Sequence, residues 1–177
     1  GLKVHSKLFL INRREKGNLV SYAHIGTGNF NESTASVYSD ISLLTADERI
    51  TEEVAKLFTF YSNNYKIGHY KHLIVAPWDM RKRYLHLINK EIANAREGQE
   101  AYIWLKLNSL VDEELISKLY QASQEGVKIK MIIRGICCLI PGVKGMSENI
   151  DVVSIVDKYL EHSRVFVFCN GGEERFY

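Results

Sequence analysis

Short runs of bulky apolar residues mark the opening of the chain. Residues 3–11 are rich in such side chains, and the segment is too short for a buried helix, so it predicts a strand. Residues 8–11 are apolar on both faces of that strand, which predicts a central position in a sheet. A turn over residues 16–18 predicts a hairpin, with residues 19–25 as the returning strand. Residues 40–45 predict a third strand. The chain is therefore expected to begin with a small sheet.

A helical repeat of apolar residues follows these strands. It consists of Ile50, Val54, Leu57, Phe58 and Tyr61. The spacing predicts an amphipathic helix, and Asp47 or Thr45 is the expected N-cap, because a short oxygen-bearing side chain can accept from the first free N–H groups. Residues 63–72 are polar and lack the repeat, so we place a domain boundary near residue 70.

Strand and helix patterns alternate beyond this boundary. Residues 73–76, 101–107 and 127–133 predict strands. Amphipathic helices are predicted over residues 80–97 and 112–125. Strands that are joined by helices run parallel through right-handed crossovers. The pattern therefore predicts an α/β fold with mixed or mainly parallel sheets flanked by helices.

Composition limits the classes of protein that remain. Of the 177 residues 46% are hydrophobic, yet no apolar run approaches the ~20 residues that would span a membrane. A net charge of +2 does not by itself indicate a nucleic-acid binder. Three cysteines, two of them adjacent, match neither a disulfide framework nor a zinc pattern, so we expect reduced core thiols. Gly1 stands where an initiator methionine would, and no signal peptide is visible, so we expect a fragment of a cytoplasmic protein.

The first candidate site combines a histidine with two lysines. His5 lies between Lys3 and Lys7, and on a strand the three side chains would share a face. Like charges on both sides favour the neutral, nucleophilic imidazole and provide an anion site, which suits attack on a phosphoryl group. Residues 26–29 read Gly-Thr-Gly-Asn, and their glycines would let backbone N–H groups and the Asn29 side chain approach phosphate oxygens.

A second group of candidate residues lies in the later part of the chain. Arg134 directly follows a predicted strand, and ligands of parallel sheets bind beyond the carboxyl ends of the strands. Its guanidinium can bind phosphate through a bidentate fork. His162 and Arg164 form a His-x-Arg pair that is predicted to face one side of a strand. Glu161 adds negative potential beside His162, which favours a proton-donating role for that histidine.

The spacing of the first cluster has a known counterpart. His-x-Lys followed about twenty residues later by Gly-Thr-x-Asn resembles one half of the phospholipase-D-like phosphotransfer signature. In that signature the histidine is the nucleophile, and the lysine and asparagine hold phosphate. The signature also has an aspartate five residues after the lysine, where this chain has Asn12. That departure counts against a phosphodiesterase.

Longer stretches of the chain resemble the C-terminal catalytic half of the bacterial long-chain polyphosphate kinases, the polyphosphate:ADP phosphotransferases with a phospholipase-D-like core. The quoted stretches include GLKVHSKLFLI, YAHIGTGNFNESTA, IIRGICCLIPGVKG and SIVDKYLEHSRVFVFCNGG. The resemblance extends over essentially the whole chain. It implies two phospholipase-D-like units, the first truncated: residues 1–70 as the C-terminal part of one catalytic domain and residues 71–177 as most of the next.

The resemblance also implies roles for individual residues. His5 corresponds to the histidine that becomes phosphorylated, and His162 to a second active-site histidine that acts as general acid or phosphate stabiliser. Tyr38 and Arg134 correspond to positions that contact nucleotide or phosphate, and Tyr38 rests on the resemblance alone. The predicted ATP- and phosphate-binding residues are Lys7, Asn29, Tyr38, Arg134, His162 and Arg164.

The family's substrates and cofactor follow from the same resemblance. It implies ATP or ADP and inorganic polyphosphate as substrates, no nucleic-acid partner, and a homo-oligomeric full-length protein. Mg²⁺ is the implied cofactor, and its contacting arginines would lie upstream of Gly1, so we expect no metal ligands here and no activity from this chain alone. The implied location is the cytoplasm, with peripheral association at the inner membrane left open.

Two other classes of function remain open on the sequence. A phospholipase-D-like phosphodiesterase or nuclease would use paired histidines on a diester, although Asn12 and Cys169 stand where acidic partners are needed. A noncatalytic polyanion-binding module would use His5 and His162 only to hold phosphate. Phosphorylation of the protein by labelled ATP distinguishes a phosphotransferase from that module.

Overall fold

The structure is a computed structural model that describes residues 3–65 and 68–177. The chain divides into two compact units, Gly1–Val75 and Ala76–Tyr177. Within the described residues, no helix combines the length and the apolar character needed to cross a bilayer.

The first unit is a small antiparallel sheet with one long helix. Its elements are, in chain order, β1 (Lys7–Glu15), β2 (Asn18–Gly26), α1 (Glu32–Ala35), β3 (Tyr38–Ser39), β4 (Ser42–Thr45) and α2 (Glu48–Ser62). The sheet has the order β1-β2-β4. Asp47 is the N-cap of α2, with its side chain accepting from the Arg49 N–H at 2.9 Å, which confirms one of the two predicted caps. The helix packs against β1 and β2.

The limits of the first strand differ from the prediction. β1 begins at Lys7 rather than Lys3 and continues to Glu15, because the hairpin keeps pairing up to Glu15 opposite Asn18. Polar residues at the end of the strand are held by this ladder and not by burial. β1 is also an edge strand of the described sheet, and Ile11 is 53% exposed, so the expected central position is wrong.

The second unit is a mixed sheet with two long helices. Its elements are, in chain order, α3 (Met80–Arg96), β5 (Tyr102–Leu107), α4 (Glu113–Gln124), β6 (Lys128–Ile133), β7 (Ile150–Val153), β8 (Leu160–Glu161), β9 (Val165–Phe168), a 3-10 turn (Asn170–Gly172) and β10 (Arg175–Phe176). The five-stranded sheet has the order β10-β9-β5-β6-β7. β5, β6 and β7 are parallel, whereas β9 runs antiparallel to β5. The predicted α/β class with sheets flanked by helices is confirmed.

The core of the second unit lies between the sheet and the two helices. Alternate residues of β5 and β6 are buried toward this side, among them Ile103, Ile129 and Met131. Tyr84 of α3 stacks on Phe166 of β9 with ring centroids 4.4 Å apart. Arg134 lies just beyond the carboxyl end of β6.

The predicted strand at residues 73–76 is wrong. Residues 71–79 form bends and turns. The N–H groups of Lys71, His72 and Leu73 donate to the carboxylate of Glu53, so they are not available to a strand ladder. A buried acceptor on α2 therefore determines the backbone of this apolar segment.

Candidate active site

Lys7 holds its ammonium group against the ring of His5. Lys7 Nζ lies 3.1 Å from Nδ1 and 3.0 Å from Nε2 of His5, and it donates to the His5 carbonyl at 2.8 Å. Lys7 is only 9% exposed. A lysine ammonium has donors and no acceptor, so the imidazole accepts from it through an unprotonated nitrogen. The pair thus places an imidazole beside a buried positive charge.

The two predicted lysine neighbours of His5 are not equivalent. His5 itself precedes β1, so it is not on the strand as predicted. Lys3 is exposed and also lies before the strand, whereas Lys7 is anchored by the β1–β2 ladder opposite Gly26. The rigid cation of this cluster is therefore Lys7.

The Gly-Thr-Gly-Asn loop is held by the segment that leads into β4. The Thr27 N–H donates to the Ile41 carbonyl at 3.0 Å, and the Thr27 hydroxyl donates to Asp40 Oδ1 at 2.8 Å. A Cβ on Gly28 would lie 2.7 Å from Asp40 Oδ2, so only glycine permits this approach. Asn29 is the last residue of the loop and is exposed. Because Gly26 pairs with Lys7, the loop starts next to the His5–Lys7 pair.

His24 supports the same face of the first sheet. It is 7% exposed and stacks on Phe9, with ring centroids 4.8 Å apart and an interplanar angle of 12°. Its Nε2 lies 3.0 Å from the Ser42 hydroxyl. A Cβ on Gly26 would come within 2.6 Å of the His24 ring. The sequence indicates only a structural role for His24, and its proximity to the loop depends on packing that a single strand does not reveal.

Arg134 lies where the strand topology predicted it. It follows β6, and the next residue, Gly135, donates to the Asn108 carbonyl at 2.9 Å just past the end of β5. A Cβ on Gly135 would lie 2.7 Å from that carbonyl, so glycine allows the two strand ends to meet. Among the described residues, Arg134 Nε is buried and makes no hydrogen bond. This donor is therefore a buried group whose hydrogen-bonding capacity the described residues leave unused.

His162 occupies the connection between β8 and β9, so its predicted place on a strand is wrong. It is 7% exposed, and its carbonyl accepts from Arg164 Nη1 at 2.6 Å. Glu161 forms an ion pair with Lys106, which also donates to the Ser163 hydroxyl at 2.7 Å. Lys106 therefore offsets the negative potential that Glu161 was predicted to add beside His162.

Comparison with known proteins identifies the family. Residues 73–177 match the family profile "Polyphosphate kinase C-terminal domain 2", and residues 1–67 match "Polyphosphate kinase C-terminal domain 1". The chain belongs to the polyphosphate kinase family. This confirms the resemblance described above.

Relatives within the polyphosphate kinase family align over the whole chain. The polyphosphate kinase of Escherichia coli (strain K12) is 52% identical over 177 residues, which are 100% of this chain and 26% of that protein. That of Salmonella typhimurium is 53% identical over 175 residues, 99% of this chain and 25% of that protein. The crystal structure of polyphosphate kinase from Porphyromonas gingivalis has a TM-score of 0.87 and 42% identity, covering 99% of this chain and 29% of that one. The chain thus spans about a quarter of the length of these relatives.

The metal-binding and thiol side chains of the described residues form no further cluster. In the described part of the chain, no group of three or more His, Cys, Asp or Glu side chains could hold a metal ion. Cys169 is buried, but Cys137 is half-buried and Cys138 is exposed, so the expectation of core thiols holds only for Cys169. All three thiols are free.

Each unit contains its own part of the predicted site. The first brings together His5, Lys7 and the loop that ends at Asn29, and half-buried Tyr38 forms β3 two residues before Asp40. The second places Arg134 beyond β6 and His162 beside Arg164. Sequence reasoning did not identify the contacts of Lys106 with Glu161 and Ser163, because a lysine that alternates with apolar residues on a strand usually faces solvent.

Proposed function

We propose that this chain provides the phosphohistidine chemistry of a polyphosphate kinase. The full-length protein, meaning here a polyphosphate kinase polypeptide that contains residues 1–177, would transfer the terminal phosphate of ATP reversibly to inorganic polyphosphate. The observation that carries this proposal is the contact of Lys7 Nζ with the His5 ring at 3.0 Å, in a chain of this family. It places the imidazole beside a fixed positive charge, which would attract a phosphoryl group to the ring and offset its charge.

The reaction has two steps in this proposal. A ring nitrogen of His5 attacks the γ-phosphorus of ATP, a nitrogen–phosphorus bond forms, the bond to the β–γ bridging oxygen breaks and ADP leaves. A terminal oxygen of polyphosphate then attacks the same phosphorus, the nitrogen–phosphorus bond breaks and the chain grows by one unit. The reverse sequence makes ATP from ADP.

Each unit has its own basic groups that are suited to offset phosphate charge. Lys7 lies against the nucleophile, and Arg134 has a buried donor with no protein partner among the described residues. Both are suited to the equatorial or leaving oxygens. Asn29, Arg164 and Tyr38 are the further proposed contacts to phosphate or nucleotide. His162, buried and fixed through its carbonyl, would act as general acid or as electrostatic stabiliser.

Mg²⁺ is part of the family's implied chemistry, in which it would neutralise phosphate charge. The residues described here do not form a cluster that fits such an ion. Its ligands would therefore come from other parts of the full-length protein.

The test is protein labelling with γ-labelled ATP in the full-length protein. His5→Ala should abolish an acid-labile, base-stable protein label, whereas His162→Ala should slow labelling but leave the label on His5. His86→Ala, on the flank of α3, is the matched control and should label normally. Mapping the phosphate to His162 would reverse the assignment. Absence of any label in the wild-type protein would favour the polyanion-binding module instead.

A further inference from the structure

A single lysine connects the two side chains that flank His162. Lys106 Nζ forms an ion pair with the Glu161 carboxylate and donates to the Ser163 hydroxyl at 2.7 Å. The side chains of Lys106 and Glu161 are only 22% and 20% exposed, and Ser163 is 3% exposed. An ion pair this well shielded is less screened by solvent than a surface pair, and its loss leaves a half-buried carboxylate without a counter-charge.

The backbone of Lys106 is held rigidly. Lys106 lies on β5, which pairs with β6 on one side and β9 on the other, so its backbone is fixed in the middle of the sheet. In the ladder with β9 it stands opposite Val165, three residues after His162. His162 itself lies in the connection between β8 and β9.

A second contact, made by a residue of the same segment, also restrains His162. Arg164 donates to the His162 carbonyl at 2.6 Å. Lys106 and Arg164 together therefore restrain the backbone before, at and after His162. Two of the three N–H donors of the Lys106 ammonium are committed to Glu161 and Ser163.

We propose that Lys106 is a positioning residue for His162, an inference that rests on the active-site role of His162 proposed above. By holding Glu161 and Ser163, Lys106 sets the place of the imidazole between them. Misplacing a catalytic group by about 1 Å can cost on the order of 100-fold in rate. The residue would act on the rate of phosphoryl transfer and not on the binding of nucleotide.

A double-mutant cycle in the full-length protein tests this role. Lys106→Met should lower kcat for polyphosphate synthesis by about 10- to 100-fold with little change in KM for ATP. In a His162→Ala background, Lys106→Met should lower kcat by less than about 2-fold, because there is no imidazole left to position. Lys106→Arg, which keeps a donor for Glu161, should recover part of the loss.

Lys130→Met is the matched control. Lys130 lies on β6, two residues before the partner of Lys106 in the parallel ladder, and is exposed, so its removal should leave kcat unchanged. If Lys106→Met does not fold, Ser163→Ala removes one of the two contacts and should show a smaller loss with the same dependence on His162.

The outcomes separate this inference from the proposed function. Equal fold-losses from Lys106→Met in both backgrounds, or a loss confined to KM, would overturn the positioning role and favour direct binding of phosphate by Lys106. A fully active His162→Ala protein would instead refute the proposed role of His162, and with it the reason to position that residue.

Discussion

Glu53 offers a sharp test of how the first unit is held together. It is 3% exposed in the middle of α2. Its carboxylate accepts from the N–H groups of Lys71 at 2.6 Å, His72 at 3.0 Å and Leu73 at 2.7 Å. Burial alone would raise the pKa of Glu53, but the three backbone hydrogen bonds outweigh it and hold the pKa below its ordinary value of 4.5. The charged carboxylate is therefore the form that the fold stabilises.

Glu53→Ala removes the acceptor and leaves three donors in a partly buried segment. Each unsatisfied buried N–H costs roughly 1–3 kcal/mol, although a loop can shift and admit water to some of them. We therefore expect a loss of about 3–5 kcal/mol in the free energy of unfolding. This is a large part of the ~5–15 kcal/mol that stabilises an ordinary domain. Glu53→Gln keeps one acceptor oxygen and should cost less.

The assay is urea unfolding of the purified chain at pH 7, with Glu52→Ala as the matched control. Glu52 is the exposed neighbour of Glu53 on the same helix, so its loss should stay within about 0.5 kcal/mol. Because the folded pKa of Glu53 is lowered, its charge stabilises the fold above pH 4.5 and this contribution is lost as the pH falls through the folded pKa. The difference between wild type and Glu53→Gln should therefore shrink in acid. A Glu53→Ala chain as stable as the control would refute the reasoning.

Three further predictions concern activity and packing. Since the chain spans about a quarter of the length of its relatives, the purified chain should fold but not make polyphosphate from ATP and Mg²⁺, and sustained turnover would contradict this. In the full-length protein, Arg134→Lys should lower kcat/KM by about 100-fold because the bidentate fork is lost, and near-normal kinetics would count against phosphate binding there. Gly26→Ala places a Cβ 2.6 Å from the His24 ring and should cost ~1–3 kcal/mol in urea unfolding. His24→Ala should remove most of that cost in the double variant, whereas additive losses would show that the two residues are independent.

The spacing of apolar residues predicted the long helices and the first two sheet strands of the second unit, because packing against one core requires that spacing. The predicted helices at 80–97 and 112–125 agree with α3 and α4 to within a residue at each end. The predicted strands at 101–107 and 127–133 agree equally well with β5 and β6. In these segments the buried residues are mainly the apolar ones, so the apolar pattern in the sequence marks the face that the fold buries.

Periodicity failed where a polar side chain determines the backbone. The apolar run at 73–76 has the composition of a strand, but Glu53 captures N–H groups at its start. The acceptor lies 20 positions earlier, on a helix face that also carries apolar residues. A glutamate at such a position is usually exposed, so composition and spacing contain no signal of its burial.

The two histidines show the same distinction at the candidate site. The partner of His5 is Lys7, only two positions away, and a residue pair this close is visible as a motif. The ion pair beside His162 joins Lys106 to Glu161, which are 55 positions apart, so no local sequence pattern indicates it. Lys106 can reach both Glu161 and Ser163 because the antiparallel pairing of β5 with β9 brings the segments together. A histidine whose contact lies two positions away is therefore predictable from one sequence, whereas contacts made through strand pairing become visible only when the topology of the sheet is known.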